Sequence, residues 1–212
     1  MCAVAPSSSV SSLPPEEASA VEWVHTMVRD SGGTKLSLVV EVQNDQTNMT
    51  VKSPENHHVL SLWRMNKERR IALWEELQPQ LHLQELRLGG LWGGIECPVV
   101  DEELSILCPP HSLQEMRELF LYAADSVGDS GLNALASAGC GAQLTSLTLS
   151  GVYEVTDAGL KALASAGCGA QLTSLTLSVL QEEVTDSGLK ALASAGCGAQ
   201  LTTLTLGGLE KG

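Results

Sequence analysis

Leucine recurs along residues 81–207 in the pattern Leu-x-x-Leu-x-Leu. Three copies stand at 144–149, 172–177 and 201–206, and looser ones at Leu83–Leu88 and Met116–Leu121. The end of each copy alternates, as in Leu175-Thr176-Leu177. This predicts a strand with its leucines on one side and its threonine on the other. Between copies the apolar period lengthens. Leu160, Leu163 and Ala164 form the i, i+3, i+4 stripe of a helix. Thr156-Asp157 is the N-cap candidate, and Gly167 suits the position just past the helix end. Each period therefore reads as one strand and one helix. A single such unit cannot bury its leucines, so units must stack on one another.

The repetition is close. The block Ala-Leu-Ala-Ser-Ala-Gly-Cys-Gly-Ala-Gln-Leu-Thr begins at Ala134, Ala162 and Ala191, and residues 155–178 match 184–207 at 21 of 24 positions. Val100–Leu104 align with Thr156–Leu160, which places the extra residues of the first repeat in a surface loop at Gly89–Ile95. Three regions follow: a Ser-rich disordered tail (1–13), a small α+β region (14–80) and the repeats (81–212). In the second region, Pro14-Pro15-Glu16-Glu17 predicts a helix start, with Ala18, Val21, Val24 and Val28 on one face and Gly32-Gly33 ending it. Leu36, Leu38, Val40 and Val42 alternate as a strand. Residues 43–58 read as a polar loop. Residues 59–77 read as a helix stopped by Pro79.

Composition narrows the function. The 212 residues are 43% hydrophobic but only 3% aromatic, so Leu, Ala and Val must fill the core. A net charge of −13, spread over both halves of the chain, argues against nucleic-acid and anionic-membrane partners. The first residues lack the basic and apolar segments of a secretory signal. The charge-free stretch 130–153 switches from helical to strand period midway, as a membrane span would not. A cytoplasmic chain, or a nuclear one, is the expectation.

Candidate chemistry is sparse. Cys140, Cys168 and Cys197 share one repeat position and read as buried small hydrophobes in a column, which is no tetrahedral metal site. Cys97, Cys108 and His111 fit no zinc spacing and read as loop packing. The glycine-rich run 89–94 lacks the Lys and Ser/Thr of a phosphate loop. No nucleophile–base arrangement stands out, so no catalytic residue, metal or cofactor is assigned.

The motif Leu-x-x-Leu-x-Leu, followed by Val-Thr-Asp-x-Gly-Leu-x-x-Leu-Ala and Gly-Cys, resembles the cysteine-containing leucine-rich repeats of F-box/leucine-rich-repeat proteins. The resemblance implies an α/β leucine-rich-repeat solenoid of the ribonuclease-inhibitor type, with parallel strands on the concave face and helices outside. It also implies a substrate-recognition or adaptor role in a cullin-type (SCF) ubiquitin ligase. Leu13-Pro14, Trp63 and Leu73-Trp74 echo an F-box, but the 49-residue offset from Pro14 to Trp63 is too long for one.

On the concave face, the outward strand positions of the last three repeats form a hydroxyl carpet: Ser146, Thr148 and Ser150; Ser174, Thr176 and Ser178; Thr203 and Thr205. The first two repeats carry Glu85, Arg87, Glu118, Phe120 and Tyr122 instead. Aromatic and Arg side chains dominate binding hot spots, so these five are the candidate protein-binding residues. The alternative is a structural scaffold, for which a uniform hydroxyl face suffices. The strand at 204–206 is expected to leave an open edge, so that the chain is either a truncated array or self-associates through this edge.

Overall fold

The computed structural model describes residues 22, 36–43, 46–52, 57–61, 67–77, 83–90, 99–178 and 184–207. Its strands are β1 (Leu36–Gln43), β2 (Gln46–Lys52), β3 (His57–Ser61), β4 (Leu83–Gly90), β5 (Glu118–Tyr122), β6 (Ser146–Ser150), β7 (Ser174–Ser178) and β8 (Thr203–Gly207). Its helices are α1 (Lys67–Leu77), α2 (Asp101–Leu107), α3 (Asp129–Ser137), α4 (Asp157–Ser165) and α5 (Asp186–Ser194). One sheet runs in the order β3-β2-β1-β4-β5-β6-β7-β8. From β4 to β8 every neighbour is parallel, and a helix follows each of β4 to β7 before the next strand. The chain is thus an α/β protein of stacked strand–helix units. β1 joins the same sheet parallel to β4, and β2 and β3 add an antiparallel meander outside it.

Residues 43–58 are not the loop that their polarity predicts. Gln46–Lys52 and His57–Ser61 are strands, because the first pairs along β1 on the side away from β4 and the second pairs along the first. That pairing, more than propensity, decides strand formation. The helix expected over 59–77 begins only at Lys67, since His57–Ser61 is claimed by the sheet. Gly89 and Gly90, expected in a loop, complete β4. The Ser-rich tail and Pro79 lie outside the described residues, as does the first predicted helix apart from Glu22, which is helical.

The two-residue period decides burial in the repeats. Leu119, Leu121, Leu147, Leu149 and Leu177 are fully buried, and Leu175 nearly so. They meet Leu132, Leu135, Leu160, Leu163 and Leu192 from the helices in one continuous core. Gly167 lies just beyond α4 with φ +86°, and Gly139 and Gly196 repeat this at +88° and +95°. That left-handed conformation ends each helix at little steric cost only for glycine.

An aspartate column ties each helix to the next. Asp129 is the first residue of α3, yet its Oδ1 accepts from the N–H groups of Thr156 (2.9 Å) and Gly159 (2.8 Å), at the start of α4. Its Oδ2 accepts from Thr156 Oγ1 at 2.6 Å. Asp157 does the same for α5 through Thr185 and Gly188, and Asp101 Oδ1 takes the Gly128 N–H before α3. A helix start leaves such donors orphaned, and a carboxylate there also suits the macrodipole. In an ordinary capping box the helix's own third residue does this work. Here that residue is glycine, and the preceding repeat supplies the carboxylate.

The first repeat is held from the other side. Glu103 of α2 is fully buried; Arg70 of α1 donates to it twice, Nε to Oε1 at 2.8 Å and Nη2 to Oε2 at 3.0 Å. Trp74 Nε1 donates to Oε1 at 3.1 Å, and the Val100 N–H to Oε2 at 3.1 Å. So α1 covers the N-terminal end of the helix layer, much as a capping unit would.

Candidate functional site

Strand register brings the five candidate residues together on the side of the sheet facing away from the helices. Glu85 lies opposite Glu118, Arg87 opposite Phe120, and Gly89 opposite Tyr122. The cause is the parallel ladder: equivalent outward positions of successive strands stand side by side. The Arg87 guanidinium lies over the Phe120 ring, 4.0 Å from its centroid. It also pairs with Glu85 on its own strand and with Glu118 Oε2 at 3.5 Å. This cation–π contact, flanked by two carboxylates, orders a small platform. Beside it, Gly89 is bare: a Cβ there would lie 3.1 Å from the Tyr122 carbonyl and 3.3 Å from its Cβ. All five residues are part-exposed.

Arg87 is not a lone charge on this face, because both neighbouring carboxylates and the Phe120 ring engage it. The hydroxyl carpet is also less uniform than expected. Ser150 is buried and accepts a hydrogen bond from Ser178 Oγ at 2.8 Å, so it offers nothing to a partner. Sequence reasoning missed that β1 continues the sheet beside β4. Val39 stands at the register position beside Arg87, and Glu41 beside Gly89. The alternation of Leu36–Val42 carries that signal, but nothing local in it says that β1 docks against β4.

The thiols are inert by placement. Cys108, Cys140 and Cys168 are buried and Cys197 is half-buried. Burial pushes Cys108 and Cys140 up to about 12, and raises Cys168 and Cys197 as well. Cys108, expected to pack in a loop, lies in the same buried core cluster as Cys140. Cys97 lies outside the described residues, among which no three potential metal ligands converge. A thiol reagent on the native protein should therefore label Cys197 first among these four, and Cys140 and Cys168 only as the fold opens. Mass mapping of the labelled peptides checks this; equal rates at all positions would contradict the burial order. Cys168→Ala should cost about 1 kcal/mol through a small cavity, read by denaturant unfolding.

None of the described helices is long and apolar enough to cross a membrane. The sequence matches no protein-family model and no curated protein.

Proposed function

We propose that this chain is a non-catalytic protein-binding solenoid of the leucine-rich-repeat type, which engages its partner through the β4–β5 platform. One observation carries the reading. The sole aromatic-and-arginine cluster among the described strand positions facing away from the helices, Arg87 over Phe120 with Tyr122 alongside, lies on a sheet whose later strands offer there only Ser, Thr and Gly. Rigid aromatic surface contributes binding energy that small hydroxyls do not.

Charge suggests the kind of partner. Glu85 and Glu118 share the single guanidinium of Arg87. A basic segment with Lys or Arg side chains complements this surface, and the net charge of −13 steers such a segment toward it. The resemblance of the repeat motif extends the proposal to substrate recognition for a cullin-type ubiquitin ligase, in the cytoplasm or nucleus.

The test compares affinity-captured proteins by quantitative mass spectrometry. Joint replacement of Phe120 and Tyr122 by Ala should weaken specific partners by about 2 kcal/mol, roughly thirty-fold, with the fold intact. Replacing Thr148, Thr176 and Thr205 by Ala should change little. Partners lost with the threonine set but kept without the aromatic pair would refute this placement. Ligase subunits among those lost would support the adaptor role, and their absence would remove it.

A further inference from the structure

One carboxylate beside the β4–β5 platform is left unanswered. Between Glu118 and Leu160 the chain carries five acidic residues and no Lys, Arg or His. Four of the five are accounted for. Glu118 meets Arg87, Asp129 and Asp157 accept from the helices that follow their own, and Glu154 is exposed to water. The fifth, Asp125, lies in the loop between β5 and α3. It is only part-exposed, its Oδ1 is shut off from solvent, and no donor among the described residues reaches that oxygen. A carboxylate oxygen withdrawn from water without a donor costs stability, and a native fold that keeps one calls for a specific reason.

The backbone is strained at the same place. Ala123, two residues before Asp125, has φ +47°, in the left-handed region that residues with a Cβ rarely adopt. Its counterpart in the next repeat is Gly151, at φ +63°, which carries no such penalty. The two positions are equivalent, since the Ala123 N–H donates to the Ser150 carbonyl and the Gly151 N–H to the Ser178 carbonyl. A Cβ on Gly151 would lie 3.5 Å from the Ala123 Cα, so the two loops leave the sheet side by side. Strain and an unpaired polar group thus coincide in the loop that begins directly after Tyr122, the last residue of β5. Such outliers concentrate at binding sites.

We propose that Asp125 selects the partner's charge: its carboxylate receives the ammonium group of a lysine in the basic segment that docks on Arg87, Phe120 and Tyr122. The proposal rests on the platform reading above and adds the residue that reads the segment's charge. No hydrogen bond fixes Oδ1, so rotation about the last side-chain torsion turns either oxygen outward. One outward oxygen at a time suits the point charge of an ammonium, whereas a guanidinium fork uses two. The stretch 118–160 supplies no cation of its own to compete for the site.

The probe is a capped tetra-lysine peptide, titrated into the full chain and followed by calorimetry and by backbone amide NMR. Amides of residues 122–127 should shift, and Asp125→Asn should weaken binding about ten-fold. Asp186→Asn removes the same charge from a side chain that is 86% exposed, and should change binding by less than about two-fold. A capped tetra-arginine peptide should lose less than tetra-lysine from Asp125→Asn. The urea midpoint of Asp125→Asn should not fall, because Oδ1 has no bond to lose. Equal weakening by Asp125→Asn and Asp186→Asn would mean diffuse attraction to a chain of net charge −13, and would overturn the proposal. So would a lower midpoint, which would reveal a structural partner for Asp125, or an equal loss for the two peptides. Joint replacement of Phe120 and Tyr122 by Ala separates this proposal from the platform itself. If that pair abolishes binding and Asp125→Asn does not weaken it, the platform stands and the lysine site falls. If only Asp125→Asn weakens binding, the lysine site stands and the platform falls.

Discussion

Glu103→Ala should destabilise the protein by about 3–5 kcal/mol, because it removes one partner of a buried ion pair. The Arg70 side chain is only 9% exposed and its guanidinium faces Glu103 through two hydrogen bonds. Removing the carboxylate also leaves the Trp74 Nε1–H and the Val100 N–H without the acceptor they use. Glu103→Gln keeps the shape and loses the charge, so its cost should be smaller, about 1.5–3 kcal/mol. The double variant Arg70→Met with Glu103→Leu should recover most of the loss, since an apolar pair of similar volume needs no desolvation of charge. Urea unfolding of the four proteins measures this cycle. Equal losses for the double variant and for Glu103→Ala would show that specific packing, not the broken ion pair, sets the cost. Hydrogen exchange should place the damage first in α1 and the start of α2, as expected where each unit touches only its neighbours.

Gly159→Ala should also destabilise, by about 2–4 kcal/mol, where the same change inside an ordinary helix is favourable by about 0.5–1 kcal/mol. The sign reverses because the new Cβ would lie 2.5 Å from Asp129 Oδ1 and 2.8 Å from Leu132 Cδ1. To relieve that contact, the carboxylate must leave the N–H groups of Thr156 and Gly159. Asp129→Ala removes the same bonds, so the two substitutions together should cost far less than their sum. Additive losses in thermal unfolding would mean that the glycine and the aspartate act separately. The column also predicts acid sensitivity. Burial alone would raise the Asp157 carboxyl, but hydrogen bonds from Thr185 Oγ1 and from the Thr185 and Gly188 N–H groups, with Lys161 nearby, outweigh it and hold it below its ordinary 3.8. A depressed carboxyl stabilises the fold above its unfolded pKa and loses that contribution as pH falls through the folded one. Stability should therefore decline as pH drops below about 4, and Asp157→Asn should flatten that part of the decline.

Much of the repeat region was legible before any coordinates. Leu-x-x-Leu-x-Leu marks β4 to β8, and Thr156, Asp157 and Gly167 mark the ends of α4. The reason is that period, cap and stop are local, and each repeat restates them. The Thr-Asp-x-Gly spacing was visible too, but its meaning was not. In sequence Asp157 looks like a first-turn residue for its own helix, whereas its carboxylate serves α5.

The candidate face was legible to the same extent. Equal strand offsets place Glu85, Arg87, Glu118, Phe120 and Tyr122 together, and the register does so. That Arg87 is held by Glu85, Glu118 and Phe120 together depends on rotamers, which no periodicity encodes.

By itself, then, the sequence determined the alternation of strand and helix, the side of each strand that is buried, and the outward residues of each repeat, because these follow from short-range geometry repeated along the chain. Only the tertiary structure decided that β1 to β3 extend the same sheet, that Arg70 and Trp74 seal the first repeat through Glu103, and that each aspartate serves the helix after its own. The hydrogen bonds join residues 27 to 33 positions apart and the β1–β4 register joins residues 47 or 48 apart, and partners at such separations are chosen by packing, not by spacing.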